Sequence, residues 1–298
     1  MKYAAIIRIE RFKYPIVVYP MVRKMIVRMT GSLPFGNKNV VVDINVDLSK
    51  PMTIFIGPNL SGKTLTMLCI AKHSKKLFAK EHVIMSINAA LGGVSCECDE
   101  EFDNAVFINS HRVKNASVLE KLRKHAVNFS NAVDTINAIE SEFRKIVEDV
   151  AIRIGEGAER FKNAFRHSIP SIDFENLRGE PTAPSLVVLH AALTSALPGT
   201  KVLLIDEPEL HSHPTTAMFL GFLLTKLAMR DNTMRVVVAT HSFEFLHGAL
   251  TANENDTDVL VFDRKNEGVS ITLVAEKWEH TAAIPGFTEP GVLSILAR

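Results

Sequence analysis

Cysteine is scarce: Cys69, Cys96 and Cys98 are the three in 298 residues, too few for a disulfide framework and suited to a reducing cytoplasm. No run of 18 or more apolar residues occurs. The richest stretch, residues 186–197, is broken by His190, Thr194 and Ser195, which excludes a membrane-spanning helix. The opening MKYAAIIRIERF holds too short an apolar patch for a secretory leader. Charge of one sign is also missing. Thirty-four Lys and Arg face 33 Asp and Glu, a net charge of +1, so bulk attraction to nucleic acid or an acidic membrane is not indicated. Neither an internal repeat nor a low-complexity segment is present. What remains is an ordinary globular mixture, 47% hydrophobic and 22% charged. A chain of this length buries about three quarters of its unfolded surface and needs no disulfide or metal staple.

One local imbalance stands out. Residues 1–29 carry Lys2, Arg8, Arg11, Lys13, Arg23, Lys24 and Arg28 against the single Glu10, interleaved with Tyr3, Phe12, Tyr14 and Tyr19. Sheet strands with a solvated basic face are the plainer reading; a nucleic-acid or partner surface is the alternative.

Apolar runs of strand length recur at 16–18, 40–42, 53–56, 106–108, 202–205, 235–239 and 259–262. Several are continuous, as expected of strands covered on both faces. Helical spacing fills the gaps, from Thr64 to about Lys80 and from Pro214 to Met229, with Pro214 suited to a first turn. This is the grammar of an α/β sheet. From about residue 114 to 165 there is no proline and the apolar spacing stays helical, predicting an insertion of two or three helices with a joint at Gly155 and Gly157. Its charge is near balance, 11 basic against 8 acidic residues over 112–166, so a DNA-binding arm is not indicated. Residues 170–184 read as a loop, and VLVFDRKNEGVSITLV as a hairpin. The expected domains are a discontinuous core, 1–112 with 186–298, and a helical lobe, 113–185.

Three motifs carry chemistry. GPNLSGKT, residues 57–64, fits G-x-x-x-x-G-K-[ST] between a strand and a helix. Gly57 and Gly62 let successive amides point at phosphate oxygens, and the helix that follows presents its positive end. Gly57, Pro58, Asn59, Leu60, Ser61, Gly62, Lys63, Thr64 and Leu65 are therefore the candidate nucleotide-binding set. Lys63 reaches the β- and γ-phosphates, and the Thr64 hydroxyl takes one position on Mg2+. In KVLLIDEPELHSHP, residues 201–214, Asp206 and Glu207 emerge at a strand end, where α/β sheets bind ligands. Asp206 is the candidate metal holder and Glu207 the candidate base for water. VVVATHSFEF, residues 236–245, ends a further strand at Thr240 and His241, with His241 within reach of a γ-phosphate.

In this order the three motifs resemble the ABC-type ATPases, in particular the SMC/RecF-like and OLD-family group. The Glu-Leu-His-x-His-Pro wording sets the chain apart from transporter ATPases. The resemblance implies a P-loop head with a mixed central sheet and a helical insertion, binding ATP with Mg2+, hydrolysing it, and dimerising through the nucleotide. It makes residues 209–214 the D-loop at a head–head interface and His241 the switch histidine. It marks Asn109, Ser110, His111 and Arg112 as Q-loop candidates, although no glutamine is present. DNA and a separately encoded nuclease or other effector are the partners it suggests. Two departures matter. The family's Ser-Gly signature is replaced by EPTAPSLVVLHAAL, with Thr182 and Ser185 but no glycine; Ser185 is expected as a helix N-cap, and efficient hydrolysis is in question. No acidic cluster stands in for the metal-dependent nuclease site of OLD proteins.

Smaller features are read plainly. Cys96 and Cys98 could bind a metal but have no second pair, so a solvent-facing turn is expected; His211 and His213 look like zinc ligands but are read first as packing or hydrogen-bonding residues. Met218, Met229 and Met234 read as core filling. Phe35 is a candidate for stacking on adenine, equally a core residue.

Overall fold

A computed structural model describes residues 25–35, 38–108, 116–154, 157–159, 162–163, 183–210, 212–267 and 270–278. The expectations for residues 1–24, Asn109, Ser110, His111, Arg112, Gly155, residues 164–182 and His211 fall outside the described residues.

The α/β class read from the sequence is the one observed. Among the described residues ten strands join in one mixed sheet: β1 (Ile26–Phe35), β2 (Lys38–Asp47), β3 (Met52–Ile56), β4 (Ser74–Phe78), β5 (Val94–Cys98), β6 (Phe102–Ile108), β7 (Lys201–Asp206), β8 (Met234–Ala239), β9 (Thr257–Glu267) and β10 (Ser270–Lys277). Their spatial order is β4-β6-β7-β8-β3-β9-β10-β2-β1-β5. From β4 to β9 the neighbours are parallel. β10 then turns back on β9 as the expected hairpin and runs parallel to β2, and β2, β1 and β5 continue antiparallel.

The sheet divides the core in two because successive side chains on a strand point to opposite faces. On β3, Met52, Ile54 and Ile56 pack to one side and Phe55 to the other, all fully buried. The first side is covered by α3 (Ala116–His125), α4 (Phe129–Ile154), α5 (Ala183–Ser195), α6 (Pro214–Arg230) and α7 (Phe243–Ala252). The second holds α1 (Lys63–Lys72), α2 (Glu81–Ala90) and the inner face of β1 and β2. Two-sided cover explains the continuous apolar runs of β3, β7 and β8. β2 is covered on one face only and alternates: Val40, Val42, Ile44 and Val46 are buried while Val41 is exposed.

Helices α6 and α7 approach backbone to backbone. A Cβ at Gly248 would lie 1.9 Å from the Met218 carbonyl oxygen, and one at Gly221 2.1 Å from that of Phe245. Only glycine permits that contact, and it fixes α7 against α6.

The structure corrects four expectations. The helix from Thr64 does not run to Lys80: it closes at Lys72, and Ser74–Phe78 becomes the edge strand β4, paired with β6 and burying Phe78. Long-range pairing here overrides a local helical pattern. Cys96 and Cys98 lie not on a turn but on β5, opposite Met29 and Val27 of β1. Cys69 and Cys96, expected unpaired, are joined as a disulfide. Ser185 is not an N-cap; α5 starts two residues earlier and Ser185 is buried within its first turn. Among the described residues no helix is long and apolar enough to cross a membrane.

Candidate active site

β3 stops at Ile56 and the chain must turn at once. Gly57 has φ 142°, and a Cβ there would lie 2.1 Å from the carbonyl oxygen of Phe262 on β9, so only glycine fits. Leu60 (φ 62°) and Gly62 (φ 102°) also take left-handed conformations, and Gly62 is the N-cap of α1. Such a succession of turns makes an amide-lined concavity, closed by the positive end of the helix.

Lys63 is folded into this bend. Its Nζ donates to the carbonyl oxygens of Gly57 at 2.7 Å and Pro58 at 2.8 Å. Burial lowers its pKa to about 8, with Asp206 and then Glu207 pulling it back up and Arg264 on β9 lowering it. The ammonium is thus held by carbonyls where a stronger acceptor, a phosphate oxygen, would compete well.

The three motifs meet because β7, β8 and β3 are consecutive in the sheet. Asp206 lies opposite Ala239, and Ala239 opposite Phe55, so three carboxyl ends finish at one level. There Thr64 Oγ1 donates to Asp206 Oδ2 at 3.0 Å. Glu207 takes φ 52° while its N–H donates to the Ala239 carbonyl at 2.8 Å, turning the chain sharply out of β7. His241 Nε2 stands 3.9 Å from Glu207 Oε1, adjacent but beyond a hydrogen bond. Burial, then Lys63, holds the imidazole below its ordinary pKa against the opposing pull of Glu207, which favours the neutral ring.

Lys63, Thr64, Asp206, Glu207 and His241 are therefore brought together around the 57–65 loop. Ser110 and His111 fall outside the described residues. Ser185 lies buried in α5, and Phe35 closes β1 at the far side of β2. His213 is the N-cap of α6, its ring accepting from the Thr215 N–H at 3.4 Å, a hydrogen-bonding role as expected.

One residue was assigned otherwise by the sequence reading, which put Glu209 in the D-loop, and another, Arg264, escaped it. Glu209 is half-buried, and its Oε1 accepts the His241 N–H at 3.1 Å; desolvation raises its pKa, while bonds from Thr240 and His241 oppose. The signal for it was a second acid two residues beyond Glu207. Arg264 adds positive charge beside Lys63. Nothing local marks it, since its proximity comes from β9 pairing with β3.

The oxygen donors present fit a hard divalent cation. A hydroxyl and a carboxylate already in contact, Thr64 and Asp206, match the ligand preference of Mg2+.

No protein-family model matches the sequence, and no curated protein does. Among solved structures the chain is similar to "RNase-L Inhibitor" at 15% identity and TM-score 0.36, covering 85% of this chain and 40% of that one. It is similar to the ADP conformation of MJ1267, an ATP-binding cassette of an ABC transporter, at 15% identity and TM-score 0.43, covering 92% and 98%. A third is the SmcHead bound to the C-winged helix domain of ScpA, at 13% identity and TM-score 0.38, covering 88% and 100%. The chain thus spans less than half the length of the first of these. Likenesses of this strength carry no functional weight, which rests instead on the side chains above.

Proposed function

We propose that this protein is an Mg2+-dependent ATPase head of the ABC type, closest in kind to the SMC/RecF and OLD group. The contact that carries the reading is Thr64 on Asp206, beside Lys63, with Glu207 and His241 on adjoining strand ends. The loop amides and Lys63 hold the triphosphate. Thr64 and Asp206 hold Mg2+, which supplies charge neutralisation on the phosphates. Glu207 orients the attacking water, and His241 contacts the γ-phosphate through its neutral ring. Catalysis is then mostly positioning and electrostatic stabilisation. In this reading residues 113–185 form a helical lobe on the core, and two heads close on shared ATP. The head acts in the cytoplasm, serving a DNA transaction or defence system through a separately encoded nuclease or other effector.

The test is phosphate release with Mg2+ and ATP, wild type against Glu207→Gln. Release is expected to fall to background in the variant while ATP binding by calorimetry persists. Wild-type release no higher than the variant's overturns the hydrolase reading.

One observation favours a second reading, a nucleotide switch that binds ATP and recruits a partner without useful turnover. Ser185, the residue nearest to the missing Ser-Gly signature, is 7% exposed and so turned away from any partner head. The same assay separates the two, since the switch binds ATP yet releases no phosphate. A transporter subunit is a weaker third reading, which co-purification with a membrane protein would revive.

A further inference from the structure

Away from the phosphate loop, three metal-ligating side chains converge. Cys69 lies on α1 and His73 at that helix's C-cap; four residues apart, they share one face. Cys96 lies on β5. Cys69 and Cys96 are bonded, with Cα atoms 5.8 Å apart. The two sulfurs and a His73 ring nitrogen all fall within 4.8 Å of one another. His73 Nε2 is 3.0 Å from the Cys96 carbonyl oxygen. Donation to that carbonyl leaves the lone pair on the other ring nitrogen, the way metal-ligating histidines are commonly oriented.

We propose that, once the disulfide is reduced, Cys69, Cys96 and His73 bind a zinc ion. Zn–S bonds of about 2.3 Å and Zn–N bonds of about 2.0–2.1 Å, in tetrahedral geometry, separate donor atoms by roughly 3.5–3.8 Å. The trio lies within 4.8 Å, so an adjustment of about an ångström, within the range of side-chain rotation about χ1, brings the donors to that spacing once the sulfurs part. Two thiolates and an imidazole select zinc over the hard cation suited to Thr64 and Asp206. Cys69 is buried, while Cys96 and His73 are half-buried, which leaves a solvent side for entry and for a water as fourth ligand. The chemistry balances. A phosphine or a dithiol supplies two electrons to the S–S bond, the phosphine becoming its oxide with oxygen from water and the dithiol closing to its own disulfide. Two protons end on the sulfurs, and Zn2+ displaces them on binding. The centre clamps the rear of α1, whose front forms the phosphate loop, to β5. It does not depend on the nucleotide reading.

The experiment uses the full chain reduced with a phosphine, exposed to ZnCl2, desalted, and assayed for metal by mass spectrometry. Co2+ absorption then reports sulfur coordination. One zinc per chain and a sulfur-to-cobalt charge-transfer band are expected, with neither in the disulfide form. Cys96→Ser and His73→Gln should each weaken zinc binding at least about tenfold, and Cys98→Ser should leave it intact. These half-buried positions carry the test if the fully buried Cys69→Ser fails to fold. Zinc no higher in the reduced chain than in Cys96→Ser, or equal zinc in the disulfide form, overturns the proposal.

Discussion

At the residue scale the most informative side chain is Glu209, whose bond is to the backbone of His241. Its carboxylate receives the backbone N–H of His241 and so sets where the imidazole stands relative to Glu207. A hydrogen bond to a charged acceptor contributes about 1.5–3 kcal/mol, roughly ten- to a hundredfold in rate if it is needed only for the reactive arrangement. Glu209→Ala is therefore expected to lower kcat for phosphate release by about tenfold or more while KM for ATP changes little. A matching rise in KM with kcat unchanged would assign Glu209 to ground-state binding instead. In the sequence the residue was placed at the head of the D-loop, with no role beside the imidazole. Its role became readable through the turn at Glu207 (φ 52°), which brings the segment after β7 under the end of β8.

At the scale of elements, legibility followed burial. β3, β7 and β8 are apolar on both faces and could be read from composition alone. β4, α2 and β5 are short and mixed in polarity, and exist because a neighbour pairs with them or covers them. The Cys69–Cys96 bond was illegible for the same reason: it requires α1 and β5 to be adjacent, which only the order of the outer strands arranges. Helix α5 is apolar nearly all round, as a fully enclosed helix must be, and carries one titratable group, His190. Burial lowers the His190 pKa to about 4, with the Leu186 carbonyl opposing, and its Nε2 has no hydrogen-bond partner among the described residues. The unfolded chain, with an ordinary histidine near 6.5, binds this proton first. The stability contribution is therefore complete above about pH 6.5 and is lost as pH falls toward about 4, a span of about 3 kcal/mol. Glu209, raised by burial, acts with the opposite sign, losing its contribution as pH rises through its folded pKa. Urea titrations of wild type and His190→Leu at pH 7 and pH 4.5 isolate the histidine. The wild type should lose more stability on acidification than the variant, and equal losses would show that His190 does not control this limb.

At the scale of the whole molecule, the site is open on one side. The sheet brings phosphate loop, acids and imidazole to one edge, yet Leu60 at the tip of the loop remains 67% exposed, an apolar side chain in the middle of a polar site. A second head closing over the nucleotide would cover it. Burying a leucine contributes about 1.5–3 kcal/mol, enough to shift an association constant by ten- to a hundredfold. Hydrolysis would undo the closure, so the dimer should accumulate only when turnover is blocked. In light scattering after size exclusion, Glu207→Gln with saturating ATP and Mg2+ is expected to move from 33.0 kDa to twice that mass. Adding Leu60→Asp to that variant should return the mass to the monomer while calorimetry still detects ATP. A mass that stays at 33.0 kDa under saturating ATP would remove the shared-nucleotide dimer. It would leave the phosphate loop, the acid pair and His241 serving a single head whose open side faces some other partner.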